Sequence, residues 1–129
     1  MAAKSYTHDD NILNFFLRGN PGAITSPASV EVGLFTVAPS NPGDAGTECS
    51  GGGYARVAAT FAAPVNGSTS NSMVVTFPTA TLSWGVVVAA GVFDNSGTLL
   101  YYGNLTASKT IDPGDTASFA MSALTITEQ

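Results

Sequence analysis

The chain has 129 residues, enough for one domain with a single core, and 44% of them are hydrophobic. Charged residues make up only 10%, and a net charge of -5 with four Lys and Arg excludes the basic surface that a nucleic-acid binder needs. The longest strongly apolar run, 86–93, is too short to span a bilayer, and no apolar stretch with a cleavage site follows Lys4, so neither a membrane segment nor a signal peptide is expected.

In chain order, residues 1–7 read as an extended arm and 8–18 as a short helix. Thr7 is the expected cap, Asp9 and Asp10 suit the positive end of the helix dipole, and Gly19 supplies the stop. Ile12, Leu13, Phe16 and Leu17 share one helical face; Phe15 falls outside that stripe, which leaves it to face a partner.

From there the pattern is β. Residues 30–37 read as a strand, followed by a long loop over 38–53 that ends in Gly51, Gly52 and Gly53. Residues 54–61 alternate, with Ala55, Val57, Ala59 and Phe61 on one face and Tyr54, Arg56, Ala58 and Thr60 on the other. A polar turn over 66–71 leads to a strand over 72–77, ended or bent by Pro78, and a brief extended piece over 80–84. Residues 86–93 have the unbroken apolarity of a central strand buried on both faces. A hairpin turn over 94–97, a returning strand over 98–105, a turn over 112–115 and closing strands within 117–127 complete the list. Seven or eight short strands with regular turn signals predict an all-β fold: an antiparallel β-sandwich, jelly-roll-like, with a short N-terminal helix. The expected division is an arm and helix over 1–20 and a single β-sandwich domain over 21–129. A sheet with this much open edge needs protection by oligomerisation or by docking on a larger surface.

Catalytic residues are not expected. His8 is the only histidine and sits at the helix start, and no Gly-x-Ser-x-Gly elbow occurs. One Cys and one His exclude ordinary structural zinc. Asp44, Glu48, Asp112 and Asp115 offer oxygens, but their spacing fits no calcium loop and suits turns better, so neither metal nor other cofactor is expected. The glycine run precedes a strand rather than a helix and lacks a following Lys-Ser/Thr pair, which rejects a phosphate loop in favour of a structural turn. Cys49 has no partner for a disulfide within the chain and reads as a spectator thiol in a loop. Trp84 reads as a core anchor. Tyr101 and Tyr102 must point to opposite faces of a strand, one into the core and the other, Tyr102, toward an interface. For Arg56, pairing with Glu31, with Asp94 or with a neighbouring subunit stays open. The candidate interface residues are Ile12, Phe15, Phe16, Leu17, Asp44, Glu48 and Tyr102.

Several blocks in order carry a family resemblance: LFT at 34–36, PGDAGTE at 42–48, SGGGYAR at 50–56, VTFPTAT at 75–81, WG at 84–85, VFD at 92–94, LLYYG at 99–103, GDT at 114–116 and LTIT at 124–127. Together they resemble small virion structural proteins of tailed bacteriophages, over most of the chain from about residue 30. That resemblance implies a place in the virion, after assembly in the bacterial host cytoplasm. Some proteins of this kind are capsid decoration or cement proteins with jelly-roll-like folds, and others are labelled tail-fibre proteins. The expected function is capsid decoration that stabilises the shell; the alternative is a tail or tail-fibre component. The implied partners are the major capsid protein and copies of the chain itself, as a homo-oligomer with a trimer favoured by analogy, and neither nucleic acid nor membrane. The N-terminal part departs most from the family pattern and is expected to carry the virus-specific attachment.

Overall fold

A computed structural model describes residues 3–40 and 45–128. The strand β1 (Ala3–Lys4) leads into helix α1 (Tyr6–Leu17), followed by β2 (Val30–Val37), β3 (Thr47–Glu48), β4 (Val57–Ala59) and β5 (Ser68–Ser70). Then come β6 (Val75–Thr76), β7 (Gly85–Asp94), β8 (Leu99–Ile111), β9 (Ser118–Phe119) and β10 (Thr125–Thr127). Six strands form one antiparallel sheet in the order β1-β8-β7-β2-β3, with β4 pairing the other end of β2. Two small antiparallel ladders, β10-β5 and β6-β9, lie outside it. The result is an antiparallel β-sandwich with one short N-terminal helix, the fold class expected from the sequence.

The main core lies between the large sheet and the small ladders. Val32, Leu34, Val87, Ala90 and Val92 from the sheet meet Val75, Phe77, Trp84, Leu124 and Ile126 from the second layer. Phe35, Ala89 and Phe93 form a smaller cluster that is separate from it. As expected, β7 is central, flanked by β8 and β2 along its length. Its alternation is interrupted by a register shift between Val87 and Ala89, so Val87 joins the same core as Ala90 and Val92 while Ala89 joins the other cluster.

Several elements differ from expectation, each for a physical reason. The helix begins two residues early because Ser5, not Thr7, caps it: the Ser5 hydroxyl accepts from the His8 N–H at 3.2 Å. Strand β4 is only Val57–Ala59, because Tyr54 turns its ring inward, stacking on Phe77 and meeting Trp84 edge-on. Inward packing of both Tyr54 and Val57 is incompatible with strict alternation. The polar stretch 66–71 contains a strand, β5, after an Asn66-Gly67 turn closed by reciprocal main-chain bonds between Val65 and Ser68. No strand covers 80–84; Ala80 and Trp84 are buried there in irregular chain.

Asn71 is 1% exposed and ties the second layer together. Its side-chain amide donates to Met73 O at 2.8 Å and Ala120 O at 2.9 Å, and its Oδ1 accepts from the Leu124 N–H at 2.9 Å. Asn71→Ala leaves the buried Leu124 N–H without its acceptor and removes a donor from two part-buried carbonyls, and is expected to destabilise the fold by roughly 2 kcal/mol. Urea unfolding of the variant measures this, and a midpoint unchanged from wild type would contradict it.

Candidate interaction surfaces

The two most distinctive sequence blocks, 50–56 and 75–85, meet in space. Gly51, Gly52 and Gly53 all have left-handed backbone, at φ 69°, 55° and 80°. This is the structural turn expected from the glycine run. A Cβ on Gly52 would also lie 2.9 Å from Leu82 O, so both conformation and space demand glycine. The turn aims the Gly52 carbonyl at the other block, where it accepts from the Trp84 indole and from the Thr81 N–H, each at 2.9 Å. Trp84 is a core anchor, 5% exposed.

Beyond this turn, the Tyr54 hydroxyl donates to Glu48 Oε2 at 2.6 Å and accepts from the Leu34 N–H at 2.9 Å. It thereby fills the gap along β2 between its pairing with β3 at Phe35 and with β4 at Val32. Arg56 grips the same carboxylate with two bonds, at 2.9 and 2.8 Å, and lies 3.6 Å over the Phe93 ring. The partner of Arg56 is therefore Glu48, not Glu31 or Asp94. Burial acts to raise the Glu48 carboxyl, but the bonds from Arg56 and Tyr54 outweigh it and hold it below its ordinary value. Gly33 makes room for this cluster: a Cβ there would sit 2.8 Å from Glu48 Oε2 and 2.9 Å from the Phe93 ring. Glu48 is thus half-buried and committed within the chain. Cys49, next to it, is buried rather than in an open loop, and burial pushes its thiol up to about 11.

A second polar cluster holds the N-terminal segment. Lys4 bonds Glu128 and lies 3.6 Å from Asp9, while the Tyr101 hydroxyl donates to Glu128 Oε2 at 2.6 Å. His8 meets the Tyr101 ring edge-on at 5.2 Å, and Ser5 donates its N–H to Leu100 O and its hydroxyl to Leu99 O. Sequence reasoning placed His8 at the helix start but missed Lys4, Tyr101 and Glu128 as its neighbours, because Lys4 and Glu128 lie at opposite ends of the chain.

No residue of α1 is buried. Ile12 and Phe15 are half-buried, whereas Leu13, Phe16 and Leu17 are 53%, 71% and 77% exposed, with Tyr6 at 50% in line with them. The expected stripe is thus split. Ile12 turns toward the body with Phe15, and the remaining members face outward. Tyr102 is half-buried and lines a cleft of about 560 Å³ with Ala3, Pro39 and Asn104. Asp44 lies outside the described residues. A second, mostly apolar cleft of about 450 Å³ opens between the large sheet and the β10-β5 ladder. It is lined by Val30, Phe61, Val92, Leu100 and Ile126, with Tyr101 and Glu128 also contributing.

These polar groups hold distant segments of the chain together. Burial and the bond to Glu128 push the Tyr101 hydroxyl well above its ordinary value, and burial lowers His8. Among the described residues no group of three or more His, Cys, Asp or Glu is placed to hold a metal ion, and no helix is long and apolar enough to cross a membrane.

A small antiparallel sandwich, tied by side-chain clusters and presenting apolar surface on its helix and in a cleft, has the form of a structural module. The family described as podophage GP4 fiber I protein gp80 matches residues 3–127, and the chain belongs to that family. It is therefore a phage virion structural protein. The match begins at residue 3 and so takes in the N-terminal segment. No curated protein matches the chain.

The N-terminal cluster sets a pH window for attachment of the segment 3–17. Burial keeps His8 neutral when attached, so its contribution weakens as pH falls below its ordinary value of 6.5. Burial acts to raise Glu128, but the bonds from Lys4 and Tyr101 hold it lower. Its contribution is present above 4.5 and is lost as pH falls through the lowered value. The bond to Glu128 raises Lys4, while burial and the same carboxylate raise Tyr101; their contributions hold below 10.5 and 10.0 and are lost at higher pH. Hydrogen exchange, corrected for intrinsic rates, is expected to show the firmest protection of 3–17 between those limits. Glu128→Gln is expected to increase opening of this segment by less than about tenfold while β7 keeps its protection. Equal protection of the segment at pH 4 and pH 8 would contradict this.

Proposed function

We propose that this chain is a structural subunit of a fibre on the phage exterior, attached through its N-terminal segment. The observation that carries this reading is the outward stripe of Tyr6, Leu13, Phe16 and Leu17. A 12-residue helix with no buried residue adds little to the stability of the body. Its exposed apolar side chains gain their free energy when another protein covers them. The family description names a fibre protein, and the polar clusters act as clamps rather than as acid-base pairs, which supports a non-enzymatic role. Repetition of modest contacts across a symmetric assembly then gives firm attachment.

A second reading is capsid decoration, with the major capsid protein as partner. The single small sandwich favours it, since a compact body suits repeated placement on a shell. Quantitative mass spectrometry of purified virions separates the two: hundreds of copies per particle indicate shell decoration, and a few copies or tens indicate a fibre.

Deletion of residues 1–19 is expected to leave a folded β body that no longer binds particles lacking this protein. Full particle binding by the truncated chain, measured by co-sedimentation, would overturn attachment through this segment.

A further inference from the structure

The chain carries both halves of an apolar contact, and the two are not joined within it. One half is the end of α1, where Phe16 and Leu17 are its most exposed large apolar residues and Arg18 follows, also exposed. The other half is the 450 Å³ cleft between the large sheet and the β10-β5 ladder. Its lining is mostly aliphatic and aromatic, with Ser68 and Thr69 in it, and the carboxylate of Glu128, which already bonds Lys4 and Tyr101, stands in its wall with a side chain 44% exposed. An apolar cavity with an acidic group suits an occupant that is apolar and followed by a cation. Of the four cationic side chains, Lys4 and Arg56 are already ion-paired and Lys109 lies on β8, whereas Arg18 is bonded to the neutral Asn14 amide at 3.0 Å. Arg18 also directly follows the two most exposed apolar residues of the helix.

We propose that copies of this chain associate head to tail, with Phe16 and Leu17 of one copy seated in the cleft of the next and Arg18 facing its Glu128. This names the partner of the stripe on which the attachment reading rests. It makes a heterologous contact, which closes into a ring when the rotation permits. The interface area argues for closure. The stripe offers on the order of 400 Å² of apolar surface, below the ~800 Å² per partner of a standard stable interface. In a closed ring each copy both inserts a helix end and receives one, so two such contacts hold every copy.

The test uses the full chain and two variants. Phe16→Asp with Leu17→Asp removes the inserted residues at exposed positions. Thr69→Trp fills the cleft from the cleft-facing wall of β5. Sedimentation equilibrium from micromolar to millimolar concentration is expected to show wild-type oligomers and each variant alone as a monomer. At the millimolar end of that range, where a single small contact can hold, the equimolar mixture is expected to form heterodimers and no larger species, since it retains one intact helix end and one intact cleft. Arg18→Glu is expected to raise the dissociation constant about threefold. Heterodimers in the mixture also show that both variants are folded. A wild-type monomer throughout, or a mixture that stays monomeric while both variants keep wild-type circular dichroism and melting, overturns the proposal. So does a Thr69→Trp variant that still associates as wild type. If the isolated chain is monomeric yet binds particles in a manner that needs residues 1–19, the head-to-tail contact fails and attachment through the segment stands.

Discussion

The carbonyl of Gly52 is the point on which the second layer of the sandwich hangs. It accepts from both Trp84 and Thr81, so two stretches of irregular chain share one acceptor. Neither stretch is a strand, and neither has a ladder to satisfy its polar groups. Three successive left-handed glycines turn this carbonyl inward, and the turn then delivers Tyr54 to the core. The Tyr54 ring packs on Phe77 and Trp84 while its hydroxyl caps an open N–H of β2. A single tight turn therefore connects the hydrophobic core, the edge of the large sheet and the Glu48–Arg56 pair. The glycines matter through what they position and bind no ligand themselves.

Polar groups are satisfied throughout this arrangement. No buried side-chain nitrogen or oxygen among the described residues lacks a hydrogen-bond partner. Asn71 and Tyr54 explain much of this, since each satisfies main-chain groups that short strands leave open. The second layer has ladders of only two or three paired residues. In such a layer side chains replace the regular hydrogen bonding that longer strands provide.

Much of the fold was legible in the sequence because its signals are local. The strand 30–37 matches β2 end to end, and the apolar run 86–93 lies within central β7. The 94–97 turn was also readable, since Asp94 bonds the N–H groups of Ser96 and Thr98 as a turn-forming aspartate should. The errors came where distant residues decide. Tyr54 leaves the strand pattern because Phe77, Trp84 and Glu48 draw it inward. Arg56 finds Glu48 across a turn rather than Glu31 or Asp94 along a ladder. The register shift in β7 is invisible to any period-2 reading. Of the candidate surface residues, Phe16 and Leu17 are strongly exposed, Phe15 and Ile12 sit against the body, and Glu48 is occupied internally. The 450 Å³ cleft had no sequence signal, because Val30, Phe61, Leu100 and Ile126 each read as ordinary core residues.

The connection between α1 and β2 has a mechanical consequence. Residues 19–29 contain neither helix nor strand, and the hydrogen bonds of Asn20, Gly22 and Ala23 are all local. Pulled straight, these eleven residues reach about 37 Å. Tension applied to the N-terminal segment would load its pairing with β8 and its bonds to Glu128 and Leu99 before it reached β2 through this connection. A pull on the start of the chain therefore falls first on contacts that lie outside the main core.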